Sequence, residues 1–343
     1  MNTIDPTAPR TGSDNEAACA GGLPVGIISN PHSGRNRRQL HRIERIVADH
    51  SGVNHCLTRS PEEIPAALAA LADRQVGVLA INGGDGTVGQ VLTCLLEDSP
   101  FERLPLIVLL PGGTTNMNVG DVGLRGRLDK AVSRLCRWAD GERSGCRLLR
   151  RPILRVEPGN GRPSACGMFF GAGAIIQGIE YCHANIHSRG LGNEIGPGLA
   201  MARTLWGIAR RDPRFVKPVS VSIAFDDGPG LPPEDILLLL VSSLERLFLG
   251  MRPYWGTGDG PLHTSIIRHD AGRFLRTLPS LLRGRPGRRA TEAAGYRSHN
   301  VDRVHLMMDG VFTLDGEMYQ ASRAAGPVTI SSAGDVTFVQ LQT

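Results

Sequence analysis

Lysine is nearly absent from this chain: Lys130 and Lys217 are the only two among 38 basic residues. No Gly-Lys pair exists, so the lysine-bearing P-loop is excluded. No His-Arg-Asp tripeptide occurs either, which excludes the protein-kinase catalytic loop. Long apolar runs are lacking; none approaches the ~18–20 residues of a membrane-spanning helix. The seven cysteines are odd in number, scattered, and never spaced C-x-x-C. They read as reduced thiols of a cytosolic protein, not as a disulfide framework or a zinc ribbon. Residues 1–22 have no apolar core, so a loose tail is expected there and not a signal peptide. Internal repeats and low-complexity blocks are missing as well.

What is present is an ordinary globular composition, 41% hydrophobic and 21% charged, over 343 residues. That length suffices for two domains, each with its own core. The net charge of +5 is local, because residues 268–303 hold nine arginines against three acids. Such a patch suits nucleic acid, a polyphosphate or an anionic membrane, or is simply a solvated face. Nucleic acid is disfavoured, since the region offers only Phe274 and Tyr296 for stacking.

Residues 23–145 alternate short apolar runs with helical patterns. Strands are expected at Val25–Ser29, Val53–Leu57, Val76–Ile81 and Leu106–Leu110. Helices are expected around Leu40–Val47, from Pro61 to about Ala72, after Gly86, and over Leu128–Ala139. This β-α-β-α order implies an α/β domain of three layers on a parallel sheet. Residues 146–343 change character, with short β-like runs between Gly- and Pro-rich turns. The runs are Ile153–Val156, Met168–Phe170, Val219–Phe225, Ile236–Val241 and Ser265–Ile267, then Val304–Met307, Val311–Leu314, Val328–Ile330 and Val336–Leu341. Helical patterns interrupt them at Leu199–Arg210 and across Phe274–Leu282, the latter kinked or late because of Pro279. A β-rich, sandwich-like second domain follows, whose last strands have the option of returning to the first.

Three polar turns close the first, third and fourth expected strands. The central one is Gly83-Gly84-Asp85-Gly86-Thr87, between an apolar run and a helix start. A helix N-terminus offers free N–H groups and positive potential, and glycines let a phosphate approach the backbone. The lone carboxylate of Asp85 would repel that phosphate unless a metal or a transferable proton intervened. The other turns are Asn30-Pro31-His32-Ser33-Gly34 and Pro111-Gly112-Gly113-Thr114-Thr115-Asn116. In an open α/β sheet such turns can converge beyond the carboxyl ends of the strands. The chemistry they suit is phosphoryl transfer.

Taken together, these turns resemble the diacylglycerol kinase catalytic-domain family, which spans bacterial lipid kinases, sphingosine kinases and ceramide kinases. That family reads N-P-x-S-G, G-G-D-G-T and P-x-G-T-x-N after the same three strands. Its D-G-E element stands here as Asp315-Gly316-Glu317, and an Asp-Gly before a strand as Asp259-Gly260. The resemblance runs from Pro24 to Leu341. It implies ATP phosphates held by Gly83, Gly84, Gly86 and Thr87, supported by Asn30, Ser33, Gly34, Gly113, Thr114 and Asn116. It implies Mg²⁺ organised by Asp85, a general base at Asp315 with Glu317 beside it, and a structural metal at Asp259. The Asp259-Gly260 pair also reads as ordinary hairpin chemistry. The implied acceptor is a hydroxyl of diacylglycerol or a sphingoid-type lipid, phosphorylated in the cleft between the domains. A cytoplasmic protein with peripheral membrane association follows, with room for a homodimer.

The chain departs from that family at two places. Met117 follows Asn116 where bacterial lipid kinases carry Asp, and Arg150, Arg151 and Pro152 stand where another Asp opens a strand. Both acids belong to the family's Mg²⁺ network, so the rival reading is a non-catalytic nucleotide-binding relative. An NAD kinase shares the glycine–Asp turn but is not expected to carry the third turn. Cys182, His183 and His187 lack the Glu of a zinc helix and read as ordinary side chains.

Overall fold

The apolar run Val25–Ser29 is buried at every position and forms strand β1. In the computed structural model, which describes residues 22–142, 145–159, 161–186 and 218–342 together with residue 207, it belongs to the first of two units. That unit extends to Arg151 and takes up the chain again from Gly334. Its other strands are β2 (Val53–Leu57), β3 (Val78–Gly83) and β4 (Leu106–Pro111), all parallel, in the order β4-β3-β1-β2. Phe338, near the end of the chain's final strand, adds a parallel contact beside Ile107 of β4.

Helices cover both faces of this sheet, which is why β1, β3 and β4 are continuously apolar. On one side lie α1 (Asn36–Ala48) and α5 (Leu128–Ala139). Their Ile43, Val47, Leu135 and Trp138 share a core with Val25, Ile27, Val78, Ala80 and Val108. On the other side lie α2 (Ile64–Asp73) and α3 (Asp85–Glu97). Leu71 of α2 sits so close to Gly26 that a Cβ there would come within 2.8 Å of its methyl carbons. A short helix, α4 (Met117–Val122), follows the third turn; its sequence has no apolar period long enough to announce it.

The second unit, residues 152–333, is antiparallel and β-rich. It contains the second half of β5 (Cys146–Glu157), then β6 (Ala165–Gly167), β7 (Phe169–Gly173), β8 (Val219–Phe225), β9 (Glu234–Ser242) and β10 (Leu262–Arg268). Strands β11 (Tyr296–Val301), β12 (Arg303–Met308), β13 (Gly310–Leu314) and β14 (Glu317–Ala321) follow, and β15 (Val328–Leu341) begins here. The path runs β14-β13-β7-β9-β8-β12-β15, with β10 joining β9 to β11. Phe170 and Phe312 stack across the β7–β13 pair at 5.0 Å between centroids. Helices α6 (Ala174–Ile186) and α7 (Phe274–Leu281) complete the unit, and α7 continues two residues beyond Pro279.

Several sequence expectations change. The two final strands are one, β15, which pairs with β12 over Val328–Ser331 and with β4 at Phe338 and stays extended between them, where the apolar pattern lapses. Helix α6 and strands β11 and β14 were not expected. Cys146 is disulfide-bonded, against the expectation of reduced thiols throughout, whereas Cys56, Cys94 and Cys136 are free. The expected tail over residues 1–22, apart from Gly22, and the expected helix Leu199–Arg210 lie outside the described residues, as does His187; nothing is described of the Cys182 and His183 side chains. Among the described residues no helix is long and apolar enough to cross a membrane.

Trp138 tests the first core. It is fully buried, and its indole N–H finds no partner among the described residues. Trp138→Ala should cost about 3–5 kcal/mol in denaturant unfolding. Trp138→Phe should cost clearly less, because it keeps most of the ring and removes the unpaired donor.

Candidate active site

The three turns meet through hydrogen bonds that cross between strand ends. Asn30 donates its side-chain amide to Thr87 Oγ1 at 3.0 Å, and Ser33 Oγ accepts the Gly84 N–H at 3.2 Å. The Arg35 N–H donates to the Gly112 carbonyl at 2.9 Å. Asn36, wholly buried, sends Nδ2 to the carbonyls of both Asn30 (2.7 Å) and Asn82 (2.9 Å). Asn82 in turn donates to Ser29 Oγ at 2.9 Å, which also contacts His55 Nε2 at 2.8 Å. Asn116 takes a left-handed conformation (φ 50°) and closes the third turn by accepting the Gly113 N–H and donating to its carbonyl.

Glycine is demanded here by contact, not by dihedral angle. A Cβ on Gly34 would stand 2.3 Å from Thr114 Oγ1, and one on Gly113 would stand 2.6 Å from Gly84 Cα. Gly84 differs: its own Cβ would meet nothing closer than Gly113 Cα at 3.8 Å. Gly84 caps α3, and Val88 makes the first intrahelical bond, to the Gly84 carbonyl at 3.1 Å. The amides of Asp85, Gly86 and Thr87 therefore precede the helix ladder, as donors available to an anion. Uncrowded backbone at Gly84 and donors beside it suit the approach of a phosphate chain.

Asp85 does not point at a second acid. Its Oδ2 accepts the Met117 N–H and its Oδ1 the Asn118 N–H, each at 3.1 Å. It thereby caps α4 from 32 residues away in sequence. Burial pushes its carboxyl above the ordinary 3.8, while the amides of Asn118 and Met117 pull the other way. Asn118 is fully buried, and neither polar atom of its side chain has a partner among the described residues. Further along α4, buried Asp121 pairs with Arg151 at 3.3 Å, and Arg150 pairs with Asp335 at 2.6 Å. The two arginines at the position of the missing acid are thus neutralised within the first unit.

Asp315 and Gly316 form the two-residue turn of the β13–β14 hairpin, with φ of 50° and 93°. Both positive angles match the turn that Asp-Gly favours. Asp315 is 4% exposed and repeats the Asp85 arrangement: Oδ2 accepts the Met168 N–H and Oδ1 the Phe169 N–H, each at 3.0 Å. Glu317, the first residue of β14, is exposed. Burial raises the nearby Tyr319 hydroxyl's pKa, and the charges of Glu317 and Asp315 push it the same way. Asp259 is exposed in the segment before β10. Among the described residues, no three His, Cys, Asp or Glu side chains gather where they could hold a metal ion. With one amide on each Asp85 oxygen as well, the described residues do not make a resident Mg²⁺ cage.

Comparison with known proteins shows what this geometry is similar to. Residues 24–142 match the family model of the diacylglycerol kinase catalytic domain. The resemblance read from the turns is therefore borne out for the unit that carries them. A crystal structure described as a diacylglycerol kinase from Bacillus anthracis str. Sterne shares 16% identity, with 94% of this chain and 97% of that one covered, at a TM-score of 0.57. Two further structures from the same strain, described as candidates for that activity, give TM-scores of 0.61 and 0.59 at 15% and 16% identity, with the same coverage. At such identities the likeness establishes the fold, an α/β unit followed by a β-rich one. No curated protein matches the chain.

The sequence reading missed Asn36, Asn82, Asn118 and Asp121. Asn82 carried a signal, a polar residue at the end of an otherwise apolar strand. The others sit in helices without a pattern that marks them.

The Asp85 environment makes a pH prediction. A carboxyl raised in the folded state contributes most below its unfolded pKa, and loses that contribution as pH rises through the folded value. Relative to Asp85→Asn, the native chain should lose stability as pH climbs from below 3.8 toward neutrality. Denaturant midpoints across pH measure this. The opposite slope would show that the two amides outweigh burial.

Proposed function

We propose that the protein is an ATP-dependent lipid kinase, transferring the γ-phosphoryl group to a hydroxyl of diacylglycerol or a related sphingoid-type lipid. The observation that carries the reading is the three-turn cradle, with room for a Cβ at Gly84 and unladdered helix amides beside it. Gly83, Gly84, Gly86 and Thr87 would hold the phosphates, with Asn30, Ser33, Gly34, Gly113, Thr114 and Asn116 keeping the turns in register. The substrate hydroxyl oxygen would attack Pγ, the bond from Pγ to the bridging oxygen would break, and ADP would leave. The hydroxyl proton would pass to a carboxylate of the Asp315–Glu317 turn. Asp315 accepts one amide on each oxygen, and Glu317 beside it is exposed. Mg²⁺ enters this reading with the nucleotide, where it would neutralise charge on the β and γ oxygens. We place the enzyme in the cytoplasm, at the membrane that holds its acceptor.

A second reading has its own support. Arg151, ion-paired to Asp121, occupies a position where the resemblance leads one to expect an acid. A nucleotide-binding relative without transfer activity would look the same. Labelled ATP, Mg²⁺ and a panel of diacylglycerols and sphingoid alcohols separate the two. Transfer to a lipid supports the kinase; ATP binding with no lipid phosphorylated at any metal concentration leaves the non-catalytic reading.

Two sets of variants test the residues. Gly84→Ala should melt near the native temperature, because its Cβ meets no clash, yet lose ATP affinity by tenfold or more, on the order of one lost phosphate contact. Gly113→Ala should lose stability as well. Asp315→Asn should keep the turn, since Asn tolerates the left-handed region, and should bind ATP while transfer falls by roughly 10²–10⁴-fold. If Glu317→Gln shows that fall and Asp315→Asn does not, Glu317 is the base.

A further inference from the structure

Helix α7 carries a face that phosphoryl transfer does not use. Phe274 and Leu281 turn inward beside Tyr296, Ile267 and Trp255. Leu275, Arg276, Pro279 and Arg283 are exposed, at the three- and four-residue spacings of one helical face. Leu275 is 45% exposed. A second apolar projection stands on the adjoining loop, which the Arg252 N–H ties to the Leu282 carbonyl at 2.9 Å. At its tip Leu249 is 69% exposed with φ of 56°. A leucine in the left-handed region is strained, and an exposed one returns little burial energy to the fold. Of the three large apolar side chains exposed among the described residues, two stand here.

Charge completes the face. Residues 271–291 contain six arginines and no acid, and all six arginines are exposed. The neighbouring ion pairs, Arg268–Asp270 and Arg252–Glu245, involve none of them.

We propose that Leu249, Leu275 and the arginines of residues 273–289 dock the protein on an anionic lipid bilayer. The leucines would enter the headgroup–acyl boundary, and the arginines would lie on lipid phosphates. An acidic protein or a polyphosphate would use the charge but leave two exposed leucines unexplained. The docking face deepens the lipid-kinase reading and rests on it for its purpose, since an acceptor lipid must be drawn from such a surface.

Vesicle flotation of the full chain tests it, comparing phosphatidylcholine vesicles with equal mixtures of phosphatidylcholine and phosphatidylglycerol. The native chain should partition to the mixed vesicles alone. Leu249→Asn relieves the backbone, so its melting temperature should hold or rise while partition falls roughly tenfold. Leu275→Ser should act similarly. Arg276→Ser with Arg283→Ser should weaken partition by roughly twentyfold, at about fivefold per arginine. Unchanged partition in both sets, equal binding to neutral vesicles, or loss of self-association in place of vesicle binding would each overturn the proposal. Turnover on a short-chain, water-dispersed acceptor is read in parallel. If that turnover stands and flotation does not respond, docking fails and the kinase reading survives. If flotation responds and no lipid is phosphorylated, the reverse holds.

Discussion

Two bare stretches of backbone touch at the heart of the first unit. Gly113 approaches the Gly84 Cα so closely that a Cβ would lie 2.6 Å away. No side chain other than hydrogen fits at Gly113, and this sets how near the third turn comes to the second. The surrounding bonds are consequences of that approach. Asn116 bends left-handed to close the third turn, Ser33 reaches the Gly84 amide, and Asn36 gives a second hydrogen bond to the Asn30 and Asn82 carbonyls, which already accept the Ser33 and Asn30 backbone N–H groups. Parallel strands supply the platform, because their carboxyl ends all face the same way.

The sequence made this part legible for a physical reason. Strands buried on both faces read as nearly unbroken apolar runs, and each run stops abruptly at a turn-forming pair, Ser29-Asn30, Asn82-Gly83 or Pro111-Gly112. The bounds of α5 were readable to the residue, since its apolar period starts after Gly126 and Arg127 and ends at Asp140-Gly141. Helix α4 was hidden because its cap comes from Asp85, a tertiary contact with no local pattern. β15 was read as two strands because a strand held by its neighbours' backbone need not be apolar throughout. Ser332, Ala333 and Gly334 break the pattern without breaking the strand. Cys146 escaped for a similar reason: pairing is a matter of space, and spacing in sequence said nothing about it.

The resemblance named Asp85 and Asp315 for different tasks, yet both carboxylates do the same local thing. Each receives two consecutive amides, one per oxygen. Ionised acids accept such bonds strongly, and they organise the backbone around them. In one case the result is the start of α4; in the other it is the entry to β7. A residue placed this way can be indispensable to an active site without touching a proton. That is the physical reason why loss of activity in a variant of either acid needs a stability and binding measurement beside it.

The pairing of Arg151 with Asp121 sharpens the question that separates the two functional readings. An arginine at the position of an expected acid would ordinarily place positive charge near a metal network and oppose it. Here its charge is met by a buried carboxylate, and Gln340 donates to the Asp121 carbonyl at 2.7 Å. The substitution is therefore accommodated within the first unit, with the Arg151 charge itself paired. A depleted metal network and an intact cradle are compatible in one fold, because they depend on different residues: the cradle on glycines and asparagines, the network on acids. Nucleotide binding and transfer can accordingly be lost separately. Within the first unit the turns are tied together by side-chain bonds from Asn30, Ser33, Asn36 and Asn116, while Asp85 is committed to the two amides that open α4.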